Sequence, residues 1–135
     1  MRIAALADLH CNNASHEVMR PLFEQIAQSA DVLLLCGDLI DYGLPEEAMV
    51  LAKQISSLKI PVLAVLGNHE FESGKQDEVK RIFSDAGAMV LDGDAREVGG
   101  VGFAGVKGFA CGFGERALRP WGRGNNQTFC PRGDR

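Results

Sequence analysis

Three short apolar runs, each breaking into a polar cluster, constrain this chain more than any other feature. Ile3-Ala4-Ala5-Leu6-Ala7 leads into Asp8-Leu9-His10. Val32-Leu33-Leu34-Leu35, closed by Cys36, leads into Gly37-Asp38-Leu39-Ile40-Asp41, and Val62-Leu63-Ala64-Val65-Leu66 leads into Gly67-Asn68-His69-Glu70. The runs are continuous rather than alternating, which is the pattern of strands buried on both faces of a parallel sheet. Cys36 reads within that pattern as a small core residue.

Helical spacing fills the intervals. Leu22, Phe23, Ile26 and Ala30 line one face of a first helix, with Pro21 in its first turn and residues 11–20 as an approach loop. His16 falls in that loop as a solvated surface residue. Pro45, Glu46 and Glu47 suit the first turn of a second helix, where a missing amide donor costs little and negative charge meets the helix dipole. Ala48, Leu51, Ala52 and Ile55 form its inner stripe. A third helix lies between Ser73 as cap and Gly87 as stop, with Val79, Ile82, Phe83 and Ala86 facing inward.

Strand, helix, strand, helix, strand implies an α/β fold with a parallel sheet and right-handed crossovers. Parallel strands share a direction, so all three polar clusters emerge at one sheet edge, where open α/β sheets bind their ligands. After Gly87 the pattern changes. Met89-Val90-Leu91, about Ala95–Val98 and Val101–Ala104 read as short strands, separated by Asp92-Gly93-Asp94 and Gly99-Gly100 turns. Residues 1–107 form the structured portion, and 108–135 read as a Gly/Arg-rich loop or disordered tail.

Composition narrows the partners. The net charge of −4 is unevenly spread: residues 1–100 hold 8 Lys/Arg against 16 Asp/Glu, and residues 101–135 hold 6 against 2. Five arginines scattered over the last twenty residues are a weak form of a basic arm, so nucleic acid is not an expected partner. The four cysteines form no CxxC pair. Only five apolar residues separate Arg2 from Asp8, too few for a signal peptide, and nothing approaches a membrane span. A reducing cytoplasm fits best.

The clusters carry the chemistry. If the segment is extended, Asp8 and His10 project to one face, so a carboxylate and an imidazole can grip one ion. Asp38 follows a glycine that permits a tight turn, and its two oxygens can bridge two metals. Asp41 is better placed to orient a ligand than to bind. Asn68 offers a neutral oxygen, and His69 beside it points elsewhere, free to donate a proton.

Taken together, DxH, GDxxD and GNH followed by an acidic residue resemble the signature of the calcineurin-like metallophosphoesterases, in that family's order and spacing. The likeness spans roughly residues 1–107. It implies a β-sandwich flanked by helices, represented here in part as β-α-β-α-β-α followed by short strands. It also implies a metal-dependent hydrolysis of phosphate mono- or diesters, on a small molecule or a phosphoprotein. By that resemblance Asp8, His10 and Asp38 hold a first divalent metal, and Asp38 and Asn68 hold a second. His69 protonates the leaving group, and Asp41 and Glu70 stand behind the ligands. Water activated by the metals attacks phosphorus in line. The metals would be Mn, Fe, Zn or Mg.

The sequence departs from the family in one respect. The family completes its site with later histidines, and this chain has three in all, the last being His69. Cys11 and Cys130 offer thiolates, poor partners for a carboxylate-rich site. The resemblance therefore implies a truncated and impaired site holding one weak ion or none, with little or no turnover. A non-catalytic metal- or phosphate-binding module is the alternative. Gly37-Asp38-Leu39 also resembles a serine-esterase block, but Leu39 stands where the nucleophilic serine belongs. A sandwich lacking its second half would also expose apolar surface and a strand edge, favouring self-association.

Overall fold

The computed structural model describes residues 1–107. Strands β1 (Ile3–Leu6), β2 (Val32–Cys36), β3 (Val62–Val65) and β4 (Ala88–Val90) form one parallel sheet in the order β1-β2-β3-β4. Helices α1 (His16–Ser29), α2 (Pro45–Ser57) and α3 (Gln76–Asp85) make the three connections. Strand order advances in one direction, so right-handed crossovers place every helix on the same face. Phe23 and Ile26 of α1, Ala48, Leu51 and Ile55 of α2, and Val79 and Phe83 of α3 share one buried cluster with Leu33, Leu35, Val62 and Ala64. Phe23 and Phe83 are enclosed in it, each contributing ~1.5–3 kcal/mol by burial.

The opposite face is covered differently. Strands β5 (Asp94–Val98) and β6 (Val101–Gly105) form an antiparallel hairpin across Gly99-Gly100, both at positive φ. Val98 and Phe103 of the hairpin pack on Val32, Leu63 and Leu91. Among the described residues the architecture is a helical layer, a four-stranded parallel sheet and a two-stranded hairpin on its other face, as expected of a metallophosphoesterase-type α/β fold.

Four expectations are corrected. β1 is not fully buried: it is an edge strand, and Ile3 is 50% exposed, because its side of the sheet lies beyond the residues the hairpin packs on. Cys36 is exposed rather than in the core, since it ends β2 on that same uncovered side. Helix α1 starts at His16, so residues 16–20 are helical, Pro21 lies inside the helix, and His16 is a half-buried first residue. The Asn12 side chain sets that start by accepting from Ala14 N–H and Ser15 Oγ, while Asn12 N–H donates to Ser15 Oγ. Met19 consequently takes the inner position, and Leu22 is 37% exposed. Ser73 does not cap α3. Its hydroxyl donates to the Gly43 carbonyl, and Lys75 is the cap residue.

The tail expected over 108–135 lies outside the described residues. Among the described residues no helix is long and apolar enough to cross a membrane.

Candidate metal centre

The three polar clusters do emerge together beyond the carboxyl ends of β1, β2 and β3. Past the strands, the first two loops continue side by side. Asp8 N–H donates to the Gly37 carbonyl (3.1 Å), His10 N–H to Asp38 (3.1 Å), and Cys11 N–H to Leu39 (2.9 Å). Asp41 N–H returns a bond to Cys11 (3.1 Å). This path is not the extended segment expected for Asp8–His10. β1 has ended, and Asp8 (φ 53°), His10 (φ 44°) and Asp38 (φ 50°) all occupy the left-handed region. Asp and His are among the non-glycine types that tolerate it.

The second and third loops meet through glycine. A Cβ on Gly67 would fall on the Asp38 carboxylate and backbone nitrogen, and one on Gly37 would crowd the Gly67 Cα at 3.1 Å. With hydrogen at both positions, Asp38 Oδ1 accepts the His69 backbone N–H at 3.1 Å.

His10, Asp38 and His69 converge so that one ligand atom of each lies within 4.8 Å of the others. The two imidazoles meet edge to face, with centroids 4.4 Å apart. Asp41 serves both rings. Its main-chain carbonyl lies 2.6 Å from His69 Nδ1, and its carboxylate lies 3.8 Å from His10 Nδ1. A carbonyl only accepts, so His69 Nδ1 carries the hydrogen and Nε2 is the nitrogen available to the group. Burial opposes the His69 imidazolium, but the Asp41 carbonyl and the carboxylates of Asp38, Glu72 and Glu70 together hold its pKa above the usual imidazole value.

Asn68 and Asp38 line a cavity of about 180 Å³ with Cys36, Gly37, Val65, Leu66 and Gly67. Asp8 is exposed at the rim and lies outside the three-residue group. His69, set apart as a proton donor by the sequence reading, is placed inside that group. Cys11 is fully buried against the core and bridges to Ile40, and burial pushes its thiol pKa up.

Two buried glutamates fix the loop carrying Asp38 and Asp41. Glu70 Oε1 accepts the N–H groups of Leu39 (2.6 Å) and Ile40 (2.9 Å), and its Oε2 accepts that of Gly67 (2.5 Å). Burial pushes the Glu70 carboxyl above the usual range, opposed by these three donors. Glu47 Oε2 accepts the N–H groups of Tyr42 (2.9 Å) and Leu44 (3.2 Å). Glu70 therefore holds backbone rather than a ligand side chain. Sequence reasoning took Glu47 only as a dipole charge. Its position three residues after the helix cap was the signal, masked because the cap itself is Leu44 rather than serine or threonine.

A family model for calcineurin-like phosphoesterases matches residues 1–133, extending past the described part of the chain. A comparison with curated proteins finds no match.

Proposed function

The chain belongs to the calcineurin-like phosphoesterase family, and on that footing we propose that it hydrolyses phosphate esters with a divalent metal as cofactor. The observation that carries this reading is the convergence of His10, Asp38 and His69 at the carboxyl edge of the sheet. The imidazole of His10 and the carboxylate of Asp38 are a mixed nitrogen and oxygen donor set, suited to Zn, Mn or Fe more than to Mg. His10 and Asp38 would hold the ion, with Asn68 and Asp8 as the next donors. Bound there, the metal supplies a Lewis acid for a phosphoryl oxygen and lowers the pKa of attacking water.

The chain's own residues do the rest. Asp41 and the His69 backbone contact keep His10, His69 and Asp38 oriented before any ligand arrives. The raised pKa of His69 favours the imidazolium, and its Nε2 proton can pass to the leaving oxygen. Among the described residues the site has one histidine to hold metal and one to donate a proton, a donor set short for two metal shells. One weakly held ion and slow turnover are expected, on a phosphorylated small molecule or protein.

The test is hydrolysis of an aryl phosphate with added manganese, alongside calorimetric manganese titration. One weak site, with turnover that Asp38→Asn abolishes, supports the proposal. Saturable binding without turnover leaves a non-catalytic metal- or phosphate-binding module. No response to manganese in either measurement overturns it.

A further inference from the structure

His69 opens a 3-10 helix, His69–Phe71, and Glu72 follows as its last, capping residue. In 3-10 geometry residues three apart eclipse, so this turn stacks Glu72 over His69. The Glu72 N–H donates to the His69 carbonyl at 3.1 Å, closing the turn. On the side-chain level, Glu72 Oε1 lies 3.3 Å from His69 Nδ1. That oxygen is buried and makes no well-aligned hydrogen bond, so its approach to His69 is a contact of charge. A buried carboxylate oxygen is costly unless a donor approaches it, and the Nδ1–H of His69 is the donor at hand.

We propose that Glu72 is a positioning residue that strengthens the choice, set by Asp41, of which nitrogen of His69 is offered to the site. Nδ1 has two acceptors before it, the Asp41 carbonyl at 2.6 Å and the Glu72 carboxylate at 3.3 Å. Neither can donate, so a lone pair on Nδ1 would face two oxygens. The Asp41 carbonyl alone selects the tautomer; the Glu72 charge adds to that selection and resists a flip of the ring. Nε2 is thereby kept toward His10 and Asp38. The consequence for proton donation rests on the phosphoesterase reading, whereas the effect on the ring does not.

The experiment uses the full chain labelled with nitrogen-15 in histidine, read by NMR above the imidazole titration, where the neutral tautomers are distinguished. Wild type should show His69 almost wholly as Nδ1–H. Glu72→Ala should lower the ratio of Nδ1–H to Nε2–H by about fivefold, the upper scale of a partly screened charge contact. Glu72→Gln, which keeps the shape and one acceptor oxygen, should lower it less. An unchanged ratio in a folded Glu72→Ala variant overturns the proposal. If that variant does not fold, an unchanged ratio in Glu72→Gln overturns it. Hydrolysis of an aryl phosphate provides the second readout: kcat falls in Glu72→Ala while KM holds. A wild type with no turnover counts against the phosphoesterase reading alone, because the tautomer ratio still decides the role of Glu72.

Discussion

Replacing Glu70 tests whether one buried carboxylate ties the two central loops together. In Glu70→Gln the amide oxygen must stay at the Oε1 position to keep the Leu39 and Ile40 donors. The amide NH2 then faces the Gly67 N–H, so a donor meets a donor where a 2.5 Å bond stood. Losing one charge-assisted bond at a buried site costs about 1.5–3 kcal/mol. Glu70→Ala leaves three backbone donors unpaired, and at ~1–3 kcal/mol for each the loss reaches several kcal/mol. That is a large share of a total stability of about 5–15 kcal/mol. Urea unfolding measures both. The glutamine variant should unfold at lower urea with an unchanged slope, and the alanine variant should be unfolded or nearly so. Calorimetry should also find weaker manganese binding by Glu70→Gln, because Asp38 loses its anchored loop. A glutamine variant within about 0.5 kcal/mol of wild type, the usual range for neutral surface changes, would refute the reasoning.

Two further outcomes follow from the edges of the sheet. Asp31 accepts from the Arg2 backbone N–H at 2.6 Å and pairs with its guanidinium at 3.1 Å, and these bonds hold its carboxyl pKa below the ordinary value. A depressed folded pKa adds stability above the unfolded pKa and loses it as pH falls through the folded one. Hydrogen exchange of β1 amides should therefore quicken, relative to the rest of the sheet, as pH drops through the carboxylate range, and Asp31→Asn should remove that dependence. Among the described residues, Ile3, Ala5 and Cys36 leave one side of the sheet open beside a β1 edge with no paired strand, so we propose that the chain self-associates through it. Sedimentation should show concentration-dependent association that Ile3→Lys weakens; a monodisperse monomer at high concentration would refute this.

The sequence made the sheet and the residue types of the site legible for the same reason. Continuous apolar runs such as Val62–Leu66 have few alternatives to a buried strand, and each run ends where polar ligands begin. What stayed hidden depended on groups far apart in the chain. Burial of β1 depends on how far the hairpin reaches over the sheet, which no local pattern encodes. The start of α1 hinges on Asn12 and Ser15 bonding to one another, a stronger local signal than Pro21. Glu70 looked like an acid behind the ligands, yet its partners are backbone donors, one pair of them some thirty residues away. Glu72 gave no signal, because its meaning arises only once a 3-10 turn stacks it on His69.

The left-handed backbone at Asp8, His10 and Asp38 limits how such a site can vary. These loops select side chains by conformation before any ion selects them by chemistry. Asp, Asn, His and Gly fit, whereas a β-branched residue would clash with its own backbone. Glutamate has the charge of aspartate but lacks the short side chain that bonds locally and eases this conformation. The vocabulary of exchangeable ligands is therefore small. Variation in what the site recognises is pushed outward, onto the surrounding segments whose backbones are under no such restriction.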